Sequence, residues 1–285
     1  MSPARGANSQ EAALHEQHGP RSNDSDFAPL GLESASGAAE RAQPALAGRR
    51  AAGVVARPLD FTVRVVSTDD DLLRVQALRC AAYGHHLPGM AETFGRADPM
   101  DRQPDTTLFV AEDKRTHTAI GACRIQINER RPLQIEESLE LPAHLQGSLL
   151  AEITRLTVLP GYNRQPVRLA LVKACHLYCV SRQVRGVLAG SRRSLLRQYR
   201  ALGFQDVYDD ARLVPLKHGG NLEHRILFRD TVTAEADARA MNHPDYRFLF
   251  RDYHPDIQVF DAIDTQVDRG LRRMRSGVEP QAAAA

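Results

Sequence analysis

Two opposite charges, Glu152 and Arg155, interrupt an otherwise apolar stretch at residues 151–158. A carboxylate can accept a proton and a guanidinium can bind an anion, so the pair has the chemistry of a site. Residues three apart in a regular strand point to opposite faces, and both charges reach one cleft only if a β-bulge resets the alternation. The structural alternative is that one of them reaches the rim of the sheet and forms an ion pair with a neighbour.

Other residues of the same chemical kinds precede this stretch. Arg79 and Tyr83 are one helical turn apart, Asp98 and Asp101 lie in a loop punctuated by Gly and Pro, and Arg124 lies within a strand-like segment. Because an isolated buried charge is costly, the two acids are expected to neutralise the strand arginines in an ion network that shapes a pocket. Solvation in the loop is the alternative for either aspartate.

The elements that must position these side chains follow from apolar periodicity. Strands are predicted over residues 61–66, 107–111, 119–127, 149–158, 184–190, 204–208 and 224–228. Thr68 is expected to cap a first helix, and Pro166 to begin a second. Ser191 or Ser194 is expected to cap a third helix, which ends at Gly203. This order predicts an α/β fold with a mixed, largely antiparallel sheet flanked by helices.

Composition divides the chain into three parts. Residues 1–57 are rich in Ala, Gly, Ser, Pro and Gln with almost no large apolar residues, which predicts a disordered N-terminal arm. Residues 58–230 hold the predicted strands and helices. Residues 231–285 contain aromatic loop residues and a polar helix expected at 263–274, and we interpret them as a C-terminal extension packed on the core.

Overall composition favours a soluble, cytoplasmic protein. The chain has 285 residues, of which 42% are hydrophobic, enough for a substantial core. No run of about 18 apolar residues is present, and the N-terminus lacks the apolar segment of a secretory signal, so neither a membrane span nor export is expected. Arginine exceeds lysine, and arginine suits bidentate recognition of phosphate or carboxylate, which indicates an anionic partner.

The four cysteines, Cys80, Cys123, Cys175 and Cys179, lie in apolar segments without a Cys-x-x-Cys spacing. Such cysteines are expected to be buried reduced thiols rather than disulfides or zinc ligands. Cys175 and Cys179 could join His176 on one helix as metal ligands, but a fourth ligand is missing and core packing is the favoured interpretation. No metal is predicted.

Together these residues resemble a known charged signature. Seven residues match, in order and approximate spacing, the charged signature of the acyl-homoserine-lactone synthases: Arg79, Tyr83, Asp98, Asp101, Arg124, Glu152 and Arg155. Residues 166–208 resemble the second half of the GNAT acyltransferase fold that those synthases share. Their early loop carries a tryptophan, whereas this chain has none and shows His85 and His86 nearby. The chain is therefore more similar to the long-chain N-acyl amino acid synthases, which transfer a fatty acyl chain from acyl carrier protein to an amino acid amine.

The loop at residues 159–166 bears on the acyl donor, because GNAT enzymes use a glycine-rich loop there to cradle the pyrophosphate of coenzyme A. Here the loop has a single glycine, Gly161. Fewer backbone N–H groups can then approach a pyrophosphate closely. The phosphopantetheine thioester of acyl carrier protein is thus the predicted donor, with acyl-CoA as the weaker alternative.

The resemblance implies a role for each matched residue. Glu152 is expected to act as a general base through a water, or else as a structural partner of Arg124 or Arg155; either arginine could bind the amino acid carboxylate. The backbone N–H groups from Leu156 to Val158 are expected to receive the oxyanion. The resemblance implies that Arg79 and Tyr83 close the pocket over the substrates, with an ordinary helix surface as the alternative for both. Asp98 and Asp101 are expected to line the same pocket. Such amide formation requires neither a metal nor a bound redox cofactor.

A basic set near the two later helices is a candidate docking face for an acidic acyl carrier protein. Its members are Arg164, Arg168, Arg192, Arg193, Arg197 and Arg200, of which the spacing places Arg193, Arg197 and Arg200 on one helical side. A solvated helix face is the alternative for any single member.

Two other functions fit parts of the sequence. A homoserine-lactone synthase would use S-adenosylmethionine as the amine donor, and the missing tryptophan counts against it. A non-catalytic module could bind anions such as nucleic acid through the arginines, but these lack an aromatic stacking surface and leave Glu152 without a role. No nucleic-acid partner is therefore predicted.

Overall fold

The fold is a mixed sheet with helices on both faces, seen in a computed structural model that describes residues 56–86, 89, 91, 93, 96–163 and 165–259. The nine strands of the described residues are β1 Phe61–Val65, β2 Thr106–Asp113, β3 Ala119–Ile127, β4 Leu150–Val158, β5 Gly186–Ser191, β6 Gln205–Asp206, β7 Val214–Leu216, β8 Leu222–Asp230 and β9 Ile257–Gln258. The helices are α1 Asp69–His86, α2 Val167–Ser181, α3 Leu196–Ala201 and α4 Ala234–Ala240.

The sheet runs in the order β6-β8-β5-β4-β3-β2-β1-β9, and β7 pairs with β8. The pairs β1–β9 and β4–β5 are parallel, and the other pairs are antiparallel. This confirms the predicted mixed, largely antiparallel sheet. The sequence prediction missed β7 and β9, whose three and two residues are too short to show an alternating pattern.

Local signals explain how the first two helices begin. The Thr68 hydroxyl accepts the backbone N–H of Asp71 at 3.1 Å, so the predicted cap of α1 is confirmed. Pro166 directly precedes α2, and its carbonyl accepts the Ala170 N–H at 2.9 Å. Gly203 has a φ of +84°, as expected for the residue that ends a helix.

The third helix begins differently from the prediction. A 3₁₀ turn over Arg193–Leu195 precedes α3, and Leu195 occupies its N-cap position, so the expected serine caps are wrong. Ser191 instead ends β5 and donates its hydroxyl to the Arg192 carbonyl at 3.1 Å. The strand β5 also begins later than predicted, because the Val184 N–H bonds to the Cys179 carbonyl at the end of α2.

The two faces of the sheet have different cores. On one face α2 packs on a cluster that includes Phe109, Ile125 and Ile153, and on the other α1 contributes Val75 and Leu78 to a smaller cluster with β2 and β3. The site residues lie on the α1 face, where charged side chains adjoin this smaller cluster.

Residues 231–259 lie against the α2 face. Lys173 of α2 donates to the carbonyls of Phe248 and Asp252 at 2.7 and 2.6 Å, and β9 pairs with β1. The predicted helix at 263–274 and all of the predicted arm up to residue 55 lie outside the described residues. No described helix has the length and apolar character needed to cross a membrane.

Candidate functional site

A β-bulge in β4 lies at the centre of the candidate site. Ala122 pairs with Thr157 and Arg124 with Thr154, so β4 places two residues, Arg155 and one neighbour, opposite a single residue of β3. Arg155 adopts a φ of +56°, the left-handed conformation of the extra residue in such bulges. The bulge required by the charges of Glu152 and Arg155 is therefore confirmed.

The bulge brings the side chains of Glu152 and Arg155 to the turn that contains His218. Arg155 donates to the backbone carbonyl of His218 at 3.1 Å. The Nε2 atom of the same histidine lies 3.1 Å from Oε1 of Glu152, without the alignment of a full hydrogen bond. The other carboxylate oxygen of Glu152 accepts the Ile135 N–H at 2.9 Å, and the side chain is fully buried.

The predicted ion network is present beside this turn. Arg79 binds Asp101 at 2.6 Å, and Arg124 reaches Asp98 at 2.6 Å and Asp101 at 3.2 Å. Arg155 extends the network, with a guanidinium nitrogen 3.5 Å from Asp98. Both aspartates come from the turn Pro99–Arg102 and its N-cap, which the network ties to α1, β3 and β4.

Arg124 and Arg155 differ in how far the protein already uses them. Arg124 also donates to Thr154 at 2.9 Å and Gln134 at 2.7 Å, so each of its guanidinium nitrogens has a protein acceptor and its side chain is 1% exposed. The side chain of Arg155 is 13% exposed. Of the two arginines, Arg155 is thus the one that a ligand can reach.

The electrostatics of these residues favour an anion beside Arg155. Burial lowers the pKa of Arg155, and the positive charge of Arg124 lowers it further. Burial by itself would raise the pKa of Asp98, but the charge and hydrogen bond of Arg124, with help from Arg155, hold it below its ordinary value. An additional carboxylate near Arg155 would therefore stabilise a cation that burial disfavours.

Tyr83, Leu156 and Val158 are the remaining predicted residues of the site. Tyr83 is half-buried on α1, and its position raises the pKa of Arg155. Leu156 packs against the α2-face core, while Val158 pairs with Gly121 of β3. The predicted oxyanion role of these backbone N–H groups stays a prediction.

The sheet opens next to the bulge. Strands β4 and β5 pair over Leu150–Ile153 of β4, although β4 itself continues to Val158. The two parallel strands therefore stop pairing before the bulge at Arg155.

The structure separates the members of the basic set. Arg168 donates to Gln198 at 2.6 Å, and burial lowers its pKa, while Arg200 pairs with Asp206 at 2.8 Å. Arg193 and Arg197 are exposed and Arg192 is half-buried. Arg193 lies in the 3₁₀ turn directly before α3, and the expectation that it shares one side with Arg197 and Arg200 stays a prediction. Arg164 lies outside the described residues.

Sequence reasoning missed two side chains that complete the site. His218 lies in the turn between β7 and β8, and Gln134 lies in the turn Gln134–Glu137, both far from β4 in sequence. No local pattern marks either residue, because each meets the site through long-range contacts. Among the described residues, no group of three or more His, Cys, Asp or Glu side chains is arranged to hold a metal ion.

The family model of N-acyl amino acid synthase FeeM matches residues 74–217, which include the ion network and both charges of β4. No curated protein matches the sequence.

Three solved structures are similar. FeeM, an N-acyl amino acid synthase from uncultured soil microbes, has 13% identity, covering 62% of this chain and 93% of that one, with a TM-score of 0.47. BjaI, a CoA-dependent acyl-homoserine lactone synthase solved with SAM and isopentyl-CoA, has 17% identity over 65% and 90% of the two chains, with a TM-score of 0.43. A GNAT-family acetyltransferase from Desulfovibrio desulfuricans has 13% identity over 60% and 99%, with a TM-score of 0.44.

Proposed function

Because this chain belongs to the family of N-acyl amino acid synthase FeeM, and is thus an acyltransferase with a GNAT-like fold, we propose that it joins a long-chain fatty acyl group to an amino acid amine. The proposed donor is the thioester of an acyl carrier protein. This assignment replaces the non-catalytic anion-binding alternative, since family membership makes the protein an enzyme.

The observation that supports the amino acid acceptor most directly is the position of Arg155. The bulge turns its guanidinium toward Asp98 and His218, on the face that carries Glu152. Arg124 is saturated by protein acceptors. We therefore assign the substrate carboxylate to Arg155, whose fork can bind it in bidentate fashion. The amine of that substrate would then lie toward Glu152.

The loop before α2 supports the acyl carrier protein as the donor. The N–H groups of Tyr162, Asn163 and Gln165 each bond to a carbonyl of the same loop at 2.9, 3.3 and 3.1 Å. These amides are therefore not free to cradle a pyrophosphate. A single phosphate, as in phosphopantetheine, requires fewer donors, and the N-terminus of the 15-residue helix α2 can supply them.

The exposed arginines near α3 are the proposed contact for the acidic carrier protein. Arg193 and Arg197 lie on the surface, where their charge would accelerate the encounter at low salt. The double change Arg193→Glu and Arg197→Glu should raise KM for acyl carrier protein and leave KM for a free pantetheine thioester unchanged. Arg239→Glu, in an exposed arginine of α4, is the matched control.

The function is tested by mass spectrometry of products formed from purified protein, pooled amino acids and either long-chain acyl carrier protein or acyl-CoA. The expected products are N-acyl amino acids from the carrier-bound donor. Arg155→Gln should raise KM for the amino acid by about 10-fold to 100-fold, the effect of losing a charge-assisted hydrogen bond. KM for the acyl donor should not change.

Three results would redirect the proposal. Products from acyl-CoA but not from acyl carrier protein would refute the proposed donor. Acyl-homoserine lactone formed after addition of S-adenosylmethionine would refute the proposed acceptor. An unchanged KM for the amino acid in Arg155→Gln would mean that Arg155 does not bind the substrate carboxylate.

A further inference from the structure

Both oxygens of the Glu152 carboxylate face other groups of the protein. The side chain is fully buried, Oε2 accepts the Ile135 N–H at 2.9 Å, and Oε1 faces Nε2 of His218 at 3.1 Å. A general base must come within hydrogen-bond reach of the proton that it removes, directly or through one water. The imidazole of His218 covers the oxygen that the backbone leaves available.

His218 has the features of a proton acceptor. Its side chain is 8% exposed, and its Nδ1 atom is buried without a partner among the residues that the structure describes. A buried polar nitrogen without a partner destabilises a fold by about 1–3 kcal/mol, so its presence calls for an explanation. Arg155 fixes the backbone of the same residue through its carbonyl.

We propose that His218 is the group that removes the proton from the attacking amine, and that Glu152 is a positioning residue that holds and stabilises it. With its proton on Nε2, facing the carboxylate, the neutral imidazole presents the lone pair of Nδ1. This inference rests on the proposed transfer of an acyl group to an amine.

The proposed step moves one proton to His218 and replaces a C–S bond by a C–N bond. The ammonium of the amino acid gives one proton to Nδ1 of His218, and this proton is later released to solvent. The neutral amine attacks the thioester carbonyl, which forms the C–N bond. The tetrahedral adduct then breaks its C–S bond, and the second amine proton ends on the sulfur of the departing thiol. No redox partner is involved.

The charged and titratable groups around His218 come from two strands. Glu152 and Arg155 approach it from β4, with Asp98 beyond the Arg155 guanidinium. His224 of β8 lies behind the turn; burial lowers its pKa first, and the neighbouring His218 lowers it further. His224 is therefore neutral at physiological pH, and Glu152 is the charge in direct contact with the imidazole.

The experiment compares pH–rate profiles of kcat/KM for the wild type, His218→Gln and Glu152→Gln, using the donor that the wild type accepts. His218→Gln should lower the rate about 100-fold or more and abolish the acidic limb, and external imidazole should restore part of the rate to His218→Ala. Glu152→Gln should lower kcat/KM but keep the limb, because the proton-accepting imidazole is still present. The exposed His144→Gln should match the wild type.

The opposite pattern would overturn the inference. If Glu152→Gln abolished the acidic limb while His218→Gln retained it, Glu152 would itself be the base through a water. Urea unfolding of each variant shows whether a loss of rate reflects a loss of fold, and imidazole rescue of His218→Ala would be absent if the role were structural. Failure of the wild type to form any N-acyl product would refute the proposed function instead.

Discussion

Asp101 provides the sharpest test of the buried ion network. Its side chain is 2% exposed and accepts hydrogen bonds from Arg79 at 2.6 and 3.2 Å and from Arg124 at 3.2 Å. Arg79 is fully buried. The change Asp101→Asn removes the negative charge that faces two buried guanidinium groups, and Asp98 remains as a carboxylate partner of Arg124.

Breaking a buried ion pair by removing one partner costs about 3–5 kcal/mol, because the remaining charge is left uncompensated. We expect Asp101→Asn to lower the free energy of unfolding by this amount, a third or more of the stability of a typical domain. With an m-value of about 3 kcal/mol/M, the urea midpoint would fall by about 1–1.7 M in equilibrium unfolding followed by circular dichroism.

The exposed pair of Asp69 and Arg102 is the matched control. These side chains are 78% and 64% exposed, and Asp69→Asn should change the free energy of unfolding by less than about 1 kcal/mol. The combined change Arg79→Met and Asp101→Leu should recover most of the loss, since it removes the buried charge together with its partner. A loss below 1 kcal/mol in Asp101→Asn, with an unchanged m-value, would refute the reasoning.

Two further predictions concern acid stability and the bulge. The Arg64 hydrogen bonds hold the pKa of Asp71 well below its ordinary value, so this contribution to stability is complete above about pH 4 and is lost as pH falls further. In thermal unfolding, the wild type should lose stability below pH 4 more steeply than Asp71→Asn. Arg155 has a positive φ, so Arg155→Gly should be about 1 kcal/mol more stable than Arg155→Ala in urea unfolding, although both should raise KM for the amino acid.

Each of these predictions has a contrary result. Parallel stability curves for the wild type and Asp71→Asn between pH 5 and 2 would mean that the bond to Arg64 is not kept in solution. Equal stability of the two Arg155 variants would mean that this residue leaves the left-handed conformation when its guanidinium is removed. The stability change of Gly161→Ala gives the baseline for a glycine-to-alanine difference without a steric clash, since an added Cβ there meets no atom within 4 Å.

Much of the site could be predicted from β4 alone. Two opposite charges three positions apart in an apolar strand required a bulge, and the structure has that bulge at Arg155. The N-cap of α1 at Thr68 and the end of α3 at Gly203 were also predicted from the sequence. In each case the signal is local, because backbone geometry restricts which residues fit a bulge, an N-cap or a left-handed turn.

The same reasoning failed where neighbours in space compete with neighbours in sequence. Ser191 and Ser194 have the chemistry of caps, yet the helix begins past both of them after a 3₁₀ turn. Arg168 and Arg200 were expected in a basic docking face, and each also contacts a side chain that the sequence did not indicate, Gln198 or Asp206. Residue type alone does not decide which of several possible partners a side chain meets.

The sequence by itself determined the sheet class, the charged residues of β4 and the family to which they belong. Only the tertiary structure decided that Arg124 is saturated while Arg155 is accessible, and that His218 covers Glu152. The reason is physical: alternation and capping are properties of adjacent residues, whereas burial and ion pairing depend on distances between strands that the whole fold sets.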